Sequence, residues 1–148
     1  MEKLRQVLDA HEVDYEIFHH ERPLRSAKEG AAYFGISIGQ TAPTLLINTE
    51  RGYLAIIVSG DYGRVDLEAL KAELGEPQLR MATPDEVEQA TGSRIGAVGL
   101  VLPKLPVILD RTLFRYPFIY GGTGVEQTTL KIKPQELEKL NRVVHYLR

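Results

Sequence analysis

"TLLINTERGYLAIIVS", residues 44–59, places two apolar, β-prone runs on either side of a short polar connection. Leu45–Asn48 and Tyr53–Ser59 have the composition and length of strands, and "TERG" (49–52) has the length and the final glycine of a hairpin turn. The two runs are therefore expected to pair with each other. Just upstream, "QTAP" (40–43) is polar and ends in Pro43. Its ring fixes one backbone angle and it has no N–H to donate. Such a corner either starts the strand or stands where another group, a charged one, would be expected.

Working outward, the local signals alternate between helix and strand. Upstream, Leu4, Val7, Leu8 and His11 share one face of a helix over residues 2–11, and "YEIFHH" (15–20) alternates as a strand does. Ser26 and Glu29 have capping-box spacing ahead of "KEGAAYF", and Gly35 is the natural stop. Downstream, Asp66 is a plausible N-cap for a helix that carries Leu67, Leu70 and Leu74 and ends at Gly75, and "QLRMA" (78–82) reads as a short strand. "TPDEVEQATG" (83–92) is the clearest helix: Thr83 caps it, Pro84 takes the first position, Glu86 completes the box and Gly92 stops it. "GAVGLVL" (96–102) and "PVILD" (106–110) read as buried strands, "FIYGG" (118–122) and "TTLKIK" (128–133) as a pair around a glycine-rich loop, and "PQELEKLN" (134–141) as a helix that begins at proline. Helices and strands are interspersed without βαβ spacing. The expected fold is a single α+β domain over residues 1–148, a mixed, largely antiparallel sheet with flanking helices.

Composition narrows the function. Of 148 residues, 43% are hydrophobic, which suits a globular domain with a real core. With 18 basic and 20 acidic residues the net charge is −2, which disfavours general coating of a polyanion but leaves room for gripping one end of a strand. There is no cysteine, hence no disulfide, thiol nucleophile or cysteine metal site. "MEKLRQVLDA" lacks the apolar core of about 7–15 residues that a signal peptide needs, and no run approaches the roughly 20 apolar residues of a membrane span. A cytoplasmic location is the resulting expectation.

Few residues declare chemistry on their own. His19 and His20 are adjacent and would point to opposite faces of a strand; His11 and His145 are isolated. No His-x-x-x-His or carboxylate–histidine cluster exists, so no metal and no cofactor are expected. "SGDYGRVD" (59–66) is neither a Walker loop nor a dinucleotide fingerprint; Asp61 is a turn former or a cleft residue. "GSRIGAVG" (92–99) and "YGGTGVEQTT" (120–129) gather glycines, which let a backbone approach a ligand and present successive N–H groups to it, or else pack closely against a neighbouring strand. Asp110 ends a strand, where it turns the chain or binds a hydroxyl or amine. No serine or threonine has an evident base partner, and no Gly-x-Ser-x-Gly elbow is present.

Taken in order, "FHHERPLRSAKEGAAYFGISIGQTAPTLLI", "SGDYGRVDLEALKAELG", "MATPDEVEQATGSRIGAVGLV", "VILDRTL" and "YGGTGVEQTTLKIKPQEL" resemble the YbaK/ProX family of trans-editing aminoacyl-tRNA deacylases, whose domain is also inserted in bacterial prolyl-tRNA synthetases. The resemblance implies a free-standing hydrolase that removes the amino acid from mischarged tRNA, with the tRNA 3′ end as partner. It implies water attacking the ester with help from backbone groups and a ribose hydroxyl, in place of a triad or metal. It assigns Thr44, Gly96 and Asp110 to catalysis and His19, His20, Pro43, Asp61, Gly99, Leu100, Gly121 and Gly122 to substrate binding. Two positions depart from the family pattern. Its Lys-Thr-Leu reads Pro43-Thr44-Leu45 here, and its Gly-x-x-x-Pro loop keeps Gly96 but has Leu100 for the proline. No local substitute for the lysine is evident, and a cation reaching the cleft from elsewhere, such as Lys28, Arg64 or Arg111, would favour catalysis. If none reaches it, the alternative is a catalytically silent module of the same fold that binds an aminoacyl-tRNA end, a small ligand or a protein.

Overall fold

The central hairpin forms as its sequence dictates. In the computed structural model, which describes residues 1–148, β3 (Thr44–Thr49) pairs antiparallel with β4 (Gly52–Ile57), Thr44 opposite Ile57 and Thr49 opposite Gly52. The run continuing from β4 is apolar throughout because both its faces are covered. Leu54, Ile56 and Val58 enter one core with Ile47, Leu70 and Ile108, while Ala55 and Ile57 enter a larger one with Leu46, Val107 and Leu109.

The hairpin lies inside a five-stranded sheet, ordered β5 (Leu79–Met81), β3, β4, β6 (Pro106–Asp110), β9 (Arg142–Leu147). A second sheet is ordered β1 (Tyr15–His19), β8 (Thr128–Ile132), β7 (Ile119–Gly121), β2 (Thr41–Ala42). Ile119, Leu130 and Ile132 of the second sheet share the larger core with Ala55, Ile57, Val107 and Leu109 of the first, so that core holds the two sheets together. Each fully buried valine, leucine or isoleucine among them contributes about 1.5–3 kcal/mol. Four of the seven strand pairings are antiparallel; β2–β7, β4–β6 and β6–β9 are parallel. The architecture is the expected mixed α+β domain, with its strands divided between two sheets.

The helices follow their caps. In α2 (Ala27–Phe34) the Ser26 hydroxyl accepts from Glu29 N–H, and in α3 (Leu67–Leu74) Asp66 accepts from Ala69 N–H. In α4 (Pro84–Thr91) Thr83 and Glu86 form the full capping box. Glu86 is also gripped by Arg80 through two hydrogen bonds of 2.7 and 2.8 Å and by Asn48 at 2.8 Å. Arg80 first, then the Thr83 N–H, holds its carboxyl well below the usual carboxylate range. α1 spans Glu2–Ala10; α5 (Glu136–Leu140) begins two residues after Pro134 instead of at it.

Residues 96–102 are the main correction. They form no strand; only Gly99 meets Gly122, in an isolated parallel bridge. Their buried polar backbone is satisfied in another way. The Asn141 side chain accepts from Leu102 N–H at 2.7 Å and donates to Leu100 C=O at 2.8 Å, while Leu100 N–H donates to Gly122 C=O at 3.0 Å. An apolar run backed by a side-chain amide imitates a strand in sequence without joining a ladder. β9 was not anticipated either.

Pro43 is the one residue between β2 and β3, which belong to different sheets. Its carbonyl accepts from Val58 N–H at 3.1 Å, and the carbonyl of Thr41 accepts from Gly60 N–H at 2.9 Å. The polar corner upstream of the hairpin is thus the point where the chain crosses from one sheet to the other.

Candidate active site

A cavity of about 520 Å³ opens beside this crossing, within the size range of small-ligand sites. Thr41, Ala42, Pro43 and Thr44 contribute the crossing itself; the start of α2 contributes Arg25, Ser26 and Ala27. Phe34 and Tyr120 form an aromatic flank, ring centroids 5.0 Å apart, and both line the cavity.

Two loops complete the wall, 92–98 and 121–128, and they are fastened to each other. Ser93 Oγ donates to Gly124 C=O at 2.8 Å, and Gly124 N–H donates to Ala97 C=O at 2.9 Å. Arg94 pairs with Glu126 at 3.6 Å on the exposed rim. The approach is so close that a Cβ on Gly122 would lie 2.1 Å from Val98 O. Gly96 adopts φ +90°, a conformation that favours glycine strongly. The amides of Gly96 and Val98 donate to no group in the chain, although both residues line the cavity; Ala97 N–H between them is spent on Arg94 C=O. The site therefore offers unspent backbone donors on one wall and the Thr44 hydroxyl, whose own hydrogen bond to Gly99 C=O is long at 3.4 Å, on another.

The expected site residues divide. Thr44, Gly96, Pro43, His20, Gly121 and Gly122 line the cavity. Gly99 and Leu100 stand directly behind the wall: Leu100 is fully buried, and a Cβ on Gly121 would lie 2.6 Å from its side chain. His19 is exposed at the end of β1 and is not in the lining. His20 is buried, and both its ring nitrogens are occupied. Nδ1 lies 2.7 Å from Arg22 C=O, which only accepts, so Nδ1 carries hydrogen; Nε2 lies 3.1 Å from Thr129 Oγ1. It shapes the wall and has no nitrogen free to take a proton from substrate.

Asp110 and Asp61 lie outside the lining, in a network of their own. Asp110 is fully buried and accepts from Ser59 N–H, from Thr112 N–H and hydroxyl, and from Arg148 at 2.8 Å. Burial alone would raise its carboxyl; the hydrogen bonds from Arg148, Ser59 and Thr112 together outweigh it and lower it. The Ser59 hydroxyl, with Arg115 and Arg148, likewise holds Asp61 below its ordinary range against the opposing effect of burial. Ser59 and Asp61 flank the turn after β4, so this network locks the end of the central strands.

The three cations named as able to reach the cleft from elsewhere, Lys28, Arg64 and Arg111, are all absent from the lining, and Arg111 stacks on Tyr146 at 5.0 Å. The cations that do line the cavity are Arg25 and Arg94. Sequence reasoning passed over both, as well as Asn141. The one local signal for Arg25 is its place immediately before the capping Ser26.

The family model of the aminoacyl-tRNA editing domain matches residues 21–140. The proline–tRNA ligase of Thermosipho melanesiensis is 29% identical over 119 residues, 79% of this chain and 21% of the ligase. The chain thus spans about a fifth of that enzyme's length. The Bacillus subtilis protein YwhH is 25% identical over 129 residues, 85% of this chain and 81% of its own. A solved structure proposed to be a trans-editing enzyme for prolyl tRNA synthetase superposes with a TM-score of 0.82 at 31% identity, covering 97% of this chain and 94% of that one.

Proposed function

The chain belongs to the aminoacyl-tRNA editing domain family, and from that premise we propose that it hydrolyses the ester joining a wrongly attached amino acid to the 3′ end of a tRNA. The observation that carries the reading is the pair of unspent amides, Gly96 and Val98, on the wall of a cavity of about 520 Å³. In the reaction a water oxygen adds to the ester carbonyl carbon and the carbonyl oxygen becomes an oxyanion; the carbonyl re-forms as the bond to the ribose oxygen breaks, and that oxygen takes up the proton lost by the water and leaves as a hydroxyl. Hydrogen-bond donors aimed at the oxyanion stabilise such a step most, and removing a single donor of this kind costs about 2.7–4 kcal/mol. Gly96 is suited to this because its φ turns the loop without a side chain in the way. The Thr44 hydroxyl contributes a polar contact to the bound ester or ribose. With His20 tied on both sides and Glu126 paired at the rim, no side chain of the cavity stands ready as a base. The chemistry then rests on positioning, with water activated by the substrate's own ribose hydroxyl.

Pro43 favours a second reading, since it brings no charge to the cavity at a position where the resemblance implies lysine: a module that binds an aminoacylated RNA end without cleaving it. A deacylation assay on a panel of mischarged tRNAs, starting with tRNA for proline carrying alanine or cysteine, separates the two. Release of amino acid above the spontaneous rate is the expected result. Binding of the same tRNAs with no release would establish the second reading instead.

A further inference from the structure

The two cations of the cavity are not equivalent. Arg94 is balanced by Glu126, which also lines the cavity, so the pair adds no net charge. Arg25 has no carboxylate partner, and its guanidinium makes no hydrogen bond; only its backbone N–H is used, donating to Glu29 at 2.9 Å. It is the single uncompensated full charge on the wall, on an exposed side chain with room to move. Beside it, the amide of Ala27, in the first turn of α2, also has no acceptor in the chain. An RNA 3′ end brings a phosphodiester wherever its terminal ribose goes. A guanidinium presents a planar fork that matches two phosphate oxygens.

We infer that Arg25 is the phosphate-positioning residue of this cavity: it holds the phosphate on the 5′ side of the terminal nucleotide while the ester lies against Gly96 and Val98. Arg25 thus supplies from the start of α2 the charge that Pro43 cannot supply from the sheet crossing. The inference rests on the deacylase reading, and it makes the phosphate contact a feature of binding, remote from the bond that breaks.

The test pairs deacylation kinetics with fluorescence anisotropy of a labelled single-stranded RNA ending in CCA, titrated at several salt concentrations. Arg25→Ala is expected to weaken RNA binding and raise KM about 10-fold or more while kcat changes less. It is also expected to reduce the slope of log affinity against log salt by about 0.7, the loss of one phosphate contact to a single strand. Arg25→Lys should keep the slope, as should Lys104→Ala, which removes an exposed cation outside the cavity. Pro43→Lys in the Arg25→Ala background should restore the slope. An Arg25→Ala protein that matches wild type in KM and in slope overturns the inference and leaves the deacylase reading standing. A wild-type protein that neither releases amino acid nor binds the RNA overturns both.

Discussion

Replacing Asn141 tests how the cavity wall is held. Its side chain is the only partner of two backbone groups, accepting from Leu102 N–H at 2.7 Å and donating to Leu100 C=O at 2.8 Å, and the residue is 8% exposed. Asn141→Ala removes both bonds without supplying water to a buried site. An orphaned buried donor or acceptor costs about 1–3 kcal/mol, so the pair should cost about 2–6 kcal/mol. A domain of this size is stable by about 5–15 kcal/mol, so a large share of its margin would go. The melting temperature should fall by about 5–15 °C. Urea unfolding followed by far-UV circular dichroism gives the free energy, and amide hydrogen exchange gives its location. Leu102 N–H should lose protection first, while Leu100 N–H, held by Gly122, keeps more of its own. Asn141→Asp retains the acceptor for Leu102 but sets a carboxylate against the Leu100 carbonyl, so it should be no better than alanine at neutral pH. The reasoning fails if Asn141→Ala lies within about 0.5 kcal/mol of wild type, the range of an ordinary surface substitution, with Leu102 still protected.

Three further outcomes are expected. Gly122→Ala sets a Cβ 2.1 Å from Val98 O, a backbone atom with nowhere to go, and should cost about 1–3 kcal/mol by overpacking and part the two loops; thermal unfolding checks the first and exchange of Gly124 N–H the second. Asp110→Asn should cost about 2–4 kcal/mol, because the buried acceptor of Arg148, Ser59 and Thr112 loses its charge; the urea midpoint reads this directly. The same groups set the acid limb of stability. The carboxyls of Asp61 and Asp110 are lowered in the folded state, so their contribution is complete above the unfolded value of about 4 and is lost as pH falls through the folded values. Urea midpoints should therefore decline below about pH 4, and Asp110→Asn should decline less steeply.

Much of the fold was legible where the cause is local. The hairpin announced itself through two runs of strand length and a glycine-ended turn, and α2, α3 and α4 through caps whose side chains bond within three residues. What stayed hidden depends on partners far along the chain. Nothing near "PVILD" says that β6 runs parallel to both β4 and β9, and nothing near "GAVGLVL" says that Asn141, about 40 residues on, supplies the hydrogen bonds of a ladder. Asp110 shows the same limit at the site. A carboxylate at a strand end reads as available, but Arg148 reaches it from 38 residues away and occupies it. Pro43 marks a corner that the structure turns into the crossing between sheets, whereas Arg25, a cation that lines the cavity, belongs to no motif of its own.

The crossing at Pro43 also bears on how fast a ligand settles. At the edge of the cavity a single residue carries the chain from one sheet to the other; its ring fixes one backbone torsion of that crossing, and the shared core keeps the sheets from swinging apart. A mouth built on a fixed torsion and a shared core has no slow opening to wait for. Association should then proceed in a single kinetic step, with the observed rate rising linearly with RNA concentration and showing no plateau. Pro43→Gly unlocks the joint, and a cavity that spends part of its time in the wrong shape loses apparent affinity by that same fraction.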